Sequence, residues 1–230
     1  MYDMLFNERL QKDMLKFFSD ELSKLGTIRE IKKNEIIDPE TADQVYIVLS
    51  GSFKQALYSA EGDEITFFRL RCGTVFGEMD YFDGMRTCVI TKAVENSTVS
   101  VLCRQVLEAE LMKNPSIYRH FMHSVIRKYR IVMLELADVK FNDSLGKLAH
   151  TIIRLAYVTK HHSQDDTNIQ KVHIAITHDE LASRTASNRS TITNGLKTFK
   201  NKGLIAIKDR QIIILDLDGL KSYVTHYWDE

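Results

Sequence analysis

The rhythm of apolar and polar positions changes several times along the chain, and each change predicts a different element. Over residues 1–25, Leu5, Leu10, Met14, Phe17, Phe18 and Leu22 recur at helical steps, which predicts a helix. From Thr27 to about Leu107 short apolar or alternating runs take over: QVYIVL, FKQALY, ITFFRL and STVSVL. Turn signals part them at Ser50-Gly51, Glu61-Gly62-Asp63, Cys72-Gly73, Asp83-Gly84 and Glu95-Asn96. Short strands punctuated in this way predict an antiparallel barrel or jelly roll. Pro115 then stands where a long helix begins, a position that tolerates its missing N–H. That helix carries a heptad seam of Tyr118, Val125, Val132 and Val139 in one set and Met122, Tyr129 and Leu136 in the other. With β-branched residues in the first set, the seam predicts a two-stranded coiled coil and hence a homodimer; the alternative is one helix packed on its own barrel.

Phe141-Asn142-Asp143 ends the heptad and is the expected hinge. A helix from Ser144 to Val158 should follow, with Leu145, Leu148, Ile152 and Leu155 inward, then a polar loop over 159–170 and a short strand in KVHIAI. Residues 176–205, ITHDELASRTASNRSTITNGLKTFKNKGLI, predict two short helices joined by a tight turn. Thr177 and Glu180 form a capping box, and Ser187 or Asn188 caps the second helix. Ile192, Leu196 and Phe199 line one side of that helix, and Gly203 stops it. The runs LIAIK and QIIIL about Asp209-Arg210 make a hairpin whose tip can reach phosphates. Two helices and such a hairpin form a winged helix-turn-helix. The expected domains are therefore 1–114, a β-domain with its leading helix; 115–140, the dimerising helix; and 141–230, the winged helix-turn-helix. The class is α+β.

Charge sharpens this picture. The chain is neutral overall, but from Ser144 onward 12 Lys and Arg face 9 Asp and Glu, leaving the balancing excess of acid in the first part. Between Leu181 and Lys208 there is no acid at all, against Arg184, Arg189, Lys197, Lys200, Lys202 and Lys208. A helix with a narrow apolar back and a cationic, hydroxyl-rich front suits the major groove of duplex DNA. The bland alternative is a helical hairpin with a solvated basic face.

Other chemistry recedes. No apolar run approaches membrane-spanning length and no signal-peptide core opens the chain, so the expected location is the cytoplasm and no membrane partner is expected. Cys72, Cys88 and Cys103 are too few and too scattered for an iron–sulfur cluster, and are expected to be buried structural thiols rather than redox sensors. The strand region holds no His, which argues against a cupin-like metalloenzyme; no catalytic residue and no metal site is expected. His161-His162 beside Asp165-Asp166 reads as solvated loop in preference to a metal site.

Together, VYIVLSGSFK, GTVFGEMDYFDGMRT, FNDSLGKLAHTIIRLA and ITHDELASRTASNRSTITNGLK resemble, in order and spacing, the Crp/Fnr family of bacterial transcription regulators. The resemblance covers nearly the whole chain. It implies a sensor β-roll of the cyclic-nucleotide-binding type, a dimerising helix and a DNA-reading domain. The function implied is a homodimeric regulator bound to a near-palindromic site and controlled by a signal sensed in the roll.

Residue by residue, the family's base contacts fall on Arg189, Ser190 and Asn194. Arg189 can donate twice to guanine; Asn194 can meet adenine or a phosphate. Thr191, Thr193 and Lys197 are candidate phosphate anchors, with Ser187 and Asn188 beside them. Gly195, mid-helix, is expected to allow close packing or close backbone approach. The effector residues implied are Gly77, Glu78, Arg86 and Thr87, with Val132 and Met133 standing where nucleotide-binding members have a hydroxyl pair. Glu78 and Arg86 either hold a ligand or form a salt bridge that steadies the loop. No cofactor is certain, and the effector is a cyclic nucleotide or another small molecule. RNA polymerase is a further partner the resemblance suggests, with 159–170 as the candidate surface. The competing reading is a ligand-binding module that acts on a protein partner.

Overall fold

The computed structural model describes residues 7–37, 43–162, 169 and 172–225. Its contacts gather into two compact units that divide between Tyr129 and Arg130.

In the first unit, helix α1 spans Glu8–Asp20, capped by the Asn7 side chain, and a 3₁₀ turn follows at Leu22–Leu25. Of the residues expected to form the leading helix, those before Asn7 lie outside the described residues. Eight strands then form two antiparallel four-stranded sheets: β1 (Thr27–Ile31), β8 (Ser97–Cys103), β3 (Gln44–Ser50) and β6 (Val75–Phe76) in one, β2 (Ile36–Ile37), β7 (Ile90–Ala93), β4 (Phe53–Tyr58) and β5 (Glu64–Leu70) in the other. Between the sheets lie Ile31, Tyr46, Val48, Phe76 and Val99 from the first and Ile37, Phe53, Leu70 and Ala93 from the second. The other face of β3 presents Val45 and Ile47 to Met14, Phe18, Leu102, Leu107 and Phe121. Strand β3 is thus buried on both faces, which is why QVYIVL reads as an unbroken apolar run.

Two helices here escape the sequence pattern: α2 (Glu78–Asp83) and α3 (Arg104–Lys113). The long helix α4 covers Ile117–Phe141, starting two residues after Pro115. The three cysteines overturn the expectation of burial: all are free and exposed. Cys72 sits in a turn, Cys88 in the loop after α2 and Cys103 at the end of β8, positions where the chain leaves the core.

The second unit starts inside α4 and continues with α5 (Ser144–His162), β9 (His173–Ala175), α6 (His178–Arg184), α7 (Arg189–Asn201), β10 (Ile205–Lys208), β11 (Gln211–Ile214) and α8 (Leu217–Lys221). Helix α5 runs four residues beyond the expected Val158. Most of the expected loop and Asp165-Asp166 lie outside the described residues. The three strands pair antiparallel in the order β10-β11-β9. Asp209 and Arg210 both take positive φ, 50° and 61°, closing the β10–β11 hairpin in two residues. The core joins Leu148, Ile152 and Ile153 of α5 to Leu181, Ile192, Leu196, Phe199, Ile205, Ile212 and Ile214.

The link Phe141–Asp143 is fastened within this unit. Asn142 donates to Asp138 at 2.7 Å and accepts from the Thr225 N–H at 2.8 Å, and Asp143 caps α5 by accepting from the Gly146 N–H at 2.7 Å.

Candidate nucleic-acid interface and effector segment

Helix α7 owes its position to its back. Ile192, Leu196 and Phe199 are at most 2 % exposed, and Gly195 is buried with them. A Cβ at Gly195 would stand 2.6 Å from Leu148 Cδ2, so the glycine lets α5 close on α7. The expected close packing is present, and it is against α5. Asn188 is the cap: its Oδ1 accepts from the Thr191 N–H at 2.8 Å and from the hydroxyls of Ser190 and Thr191 at 2.7 and 2.8 Å. Thr177 caps α6 by accepting from the Glu180 N–H at 3.1 Å.

Turned outward on α7 are Arg189, Ser190, Thr193, Asn194, Lys197 and Lys200, one contiguous exposed face. Ser187 and Thr191 are half-buried at its edge. Arg184 departs from the expectation. It points inward with its side chain 7 % exposed, pairs with Glu180 at 3.3 Å, and burial lowers its pKa from the usual guanidinium value. It supports the unit and adds nothing to the cationic face. Sequence reasoning also missed two residues of α6 that touch the outward face. Asp179 accepts from Arg189 Nη1 at 3.0 and 3.1 Å, and His178 Nδ1 meets Thr193 Oγ1 at 3.0 Å. Thr193 in turn donates to the Arg189 carbonyl at 2.9 Å.

Behind this motif lies a buried set of charges. Asp138, near the end of α4, is hydrogen-bonded to His150 and accepts from Arg154 Nη1 at 2.9 Å; Glu135 lies 3.8 Å from Arg154. Burial pushes Glu135 up to about 7, against the pull of Arg154 and Arg184, and holds His150 below its ordinary value despite its bond to Asp138. Neither the cluster nor any other group of described residues brings three His, Cys, Asp or Glu into a metal site.

In the first unit, Gly77 takes φ 81° and heads α2; a Cβ there would lie 2.8 Å from the Gln44 carbonyl oxygen. The turn aims Glu78 into the interior, where it is fully buried. Its Oε1 accepts from Lys128 of α4 at 2.6 Å and from Ser124 at 3.4 Å, and Lys128 also donates to the Val75 carbonyl at 3.0 Å. Lys128 is a partner that the heptad reading overlooked, because it lies on the flank of the seam, in line with Phe121 and Ser124. Arg86 and Thr87 are exposed, and the Thr87 N–H donates to Asp80 at 3.2 Å.

Glu78 Oε2 is buried with no hydrogen-bond partner among the described residues, the kind of acceptor a sugar hydroxyl would satisfy. The space does not agree. The cavity bounded by Tyr46, Gln55, Phe76, Glu78 and Thr91 holds about 30 Å³, whereas ligand sites run to roughly 300 Å³ or more. Tyr46 and Phe76 stack there with ring centroids 4.8 Å apart. A cyclic nucleotide is larger than this inner cavity. A larger hollow of about 690 Å³ shares Glu78 and Thr87 with it and brings them together with Arg86, between Phe82 and Met85 on one side and Tyr118, Phe121, Met122 and Val125 of α4 on the other. Val132 and Met133 fall in the other unit, both exposed.

Known proteins match this arrangement in both parts. The model of the cyclic nucleotide-binding domain matches residues 28–114, and that of the Crp-like helix-turn-helix domain matches 146–223. The chain belongs to the Crp/Fnr family of transcription regulators. It is 28% identical over 182 residues to the CRP-like cAMP-activated global transcriptional regulator of Mycobacterium tuberculosis, covering 79% of this chain and 80% of that one. It is 24% identical over 197 residues to the anaerobic regulatory protein of Bacillus subtilis, covering 84% and 82%. Among solved structures, a CooA mutant from Carboxydothermus hydrogenoformans aligns with TM-score 0.74 at 20% identity, over 91% of this chain and 94% of that one. FixK2 from Bradyrhizobium japonicum aligns with TM-score 0.72 at 15% identity, over 88% and 99%. These Crp/Fnr folds share the antiparallel roll, the long helix and the helix-turn-helix.

Proposed function

We propose that this Crp/Fnr regulator binds duplex DNA as a homodimer, each α7 lying in a major groove of a near-palindromic site. The observation that carries this reading is the outward face of α7: Arg189, Ser190, Asn194, Lys197 and Lys200 exposed together, on a helix whose other side is fixed in the core. In this reading Arg189 donates to guanine, Ser190 and Asn194 tune the neighbouring base pairs, and Thr191, Thr193 and Lys197 face the phosphates with Ser187 and Asn188 beside them. Lys208 and Arg210, exposed on the hairpin, add cations at its tip.

The dimer rests on the seam of α4. Tyr118, Met122, Tyr129, Val132, Leu136 and Val139 are 37–70 % exposed, a stripe of large apolar side chains with no cover in the described chain, and Val125 is half-buried between them. A second copy of α4 supplies that cover, and the hollow beside Phe82 and Met85 continues the same apolar surface. The segment Gly77–Thr87, which shares the hollow's walls with α4, is where a small-molecule signal enters. Such a regulator works in the cytoplasm, beside its DNA. No helix of the described residues is long and apolar enough to cross a membrane.

The test is a duplex selected from a random pool by the full chain, with and without cyclic AMP. Arg189→Ala should lose about 1–3 kcal/mol on that duplex and relax preference at one base pair per half-site. Unchanged affinity and selectivity would remove Arg189 from the reading.

A further inference from the structure

We infer that Asp179, on the first turn of α6, is a specificity-determining residue that orients Arg189 for base reading. This rests on the reading of α7 given above and adds a second helix to it.

The geometry is directional. Both Asp179 carboxylate oxygens face a single nitrogen of Arg189, Nη1, at 3.1 and 3.0 Å. A guanidinium carries five N–H donors in a rigid plane, and a guanine edge needs two of them side by side. Binding through Nη1 leaves the Nε–Nη2 edge to present to O6 and N7. The same turn of α6 reaches α7 one turn further on, where His178 meets Thr193. Helix α6 therefore touches the reading face at two positions four residues apart, 189 and 193.

As a stabilising device this pair is weak. Both side chains are 68 % exposed, and exposed ion pairs contribute little to folding. Its effect is on recognition, in two ways of opposite sign. A free arginine on a groove-facing helix samples many rotamers and reaches phosphates as readily as bases; one held by a carboxylate has fewer to lose on meeting guanine. The carboxylate also repels the DNA backbone, which penalises every complex in which Arg189 has not found its base. Asp179 thus lowers affinity for arbitrary duplex while raising the ratio between the right site and a wrong one.

The experiment compares the wild type with Asp179→Ala, Asp179→Asn, Asp179→Glu, Arg189→Ala and the 179/189 double alanine variant. The probes are the selected duplex, its single-base-pair substitutions at the position read by Arg189, and a scrambled duplex. Asp179→Ala should reduce discrimination at that base pair by about 3–10-fold, part of the roughly 10–100-fold that a two-bond contact provides. Binding to the scrambled duplex should rise, Asp179→Asn should resemble the alanine variant, and Asp179→Glu should restore part of the discrimination. In the Arg189→Ala background the Asp179 change should no longer alter it. If Arg189→Ala removes the preference and Asp179→Ala does not, the role of Asp179 is wrong while α7 still reads DNA. A uniform loss on all duplexes makes Asp179 merely structural and overturns the inference equally. If Arg189→Ala leaves the preference intact, the underlying reading fails first. Thermal unfolding of each variant confirms that the comparison is made between folded proteins.

Discussion

Two helices of this protein leave a whole face uncovered, and the two faces are chemically opposite. Helix α4 exposes Tyr118, Met122, Tyr129, Leu136 and Val139; helix α7 exposes Arg189, Ser190, Asn194, Lys197 and Lys200. Each obeys the same helical period and each buries its other side, α4 through Ile117, Phe121 and Leu134, α7 through Ile192, Leu196 and Phe199. The comparison teaches that exposure alone names no partner. In the proposed reading side-chain chemistry does: apolar residues at heptad spacing suit a copy of the helix, cations and amides suit a polyanion with readable edges.

Ionic strength separates the two faces most widely. Raising salt from 50 to 200 mM should weaken operator binding by roughly 10³–10⁵-fold if 6–10 phosphates are contacted. Dimerisation through an apolar seam should barely respond, so fluorescence anisotropy should give a steep slope and analytical ultracentrifugation in the same buffers a flat one. Parallel slopes would break the comparison.

A charge placed on the seam comes next. Leu136 is 70 % exposed, so Leu136→Glu should leave the folded chain intact while weakening the dimer by about 3 kcal/mol, read by sedimentation. A variant that stays dimeric would show that α4 does not make the contact.

The third prediction concerns charges behind the faces. Glu135 holds its proton to about pH 7 in the folded protein, while the unfolded chain gives it up near 4.3. Over the interval between those values the folded state binds more protons, so this residue's contribution falls as pH rises, then levels off above 7. His150, held below its normal range by burial, acts in the other direction and loses stability as pH drops. Glu135→Gln removes only the first effect. In urea titrations it should match the wild type near pH 4 and exceed it at pH 8, by about 3 kcal/mol at most.

The smallest effect lies in the turn that sets α6 against α7. Ala186 takes φ 47°, a conformation that suits glycine. Ala186→Gly should raise stability by up to about 1 kcal/mol, or a few degrees in melting temperature, with no change in base preference.

Much of this architecture was legible because periodicity reports burial. Strand β3 reads as apolar throughout because both its faces are covered, and the back of α7 reads as Ile192, Leu196 and Phe199 because α5 packs there. What escaped had no period to show. Helix α2 is six residues long and begins at a positive-φ glycine; β2 and β6 are two residues each and exist through their pairing. Arg184 looks like Arg189 in the sequence; its pairing with Glu180 is a local i,i+4 contact, but its burial comes from tertiary packing that the sequence does not display. The Lys128–Glu78 pair joins residues 50 apart, and neither residue type predicts burial. Exposure of Cys72, Cys88 and Cys103 likewise follows from where strands and turns end, which composition does not record.

Because α7 is welded to α5 through Gly195 and Leu148, its depth and tilt are fixed by atoms that never meet a ligand. Positions 190 and 194 are free of that duty. In the proposed reading, exchanging them should rewrite the address this regulator answers to while the scaffold stays put, which would bring new regulons within one or two codon changes.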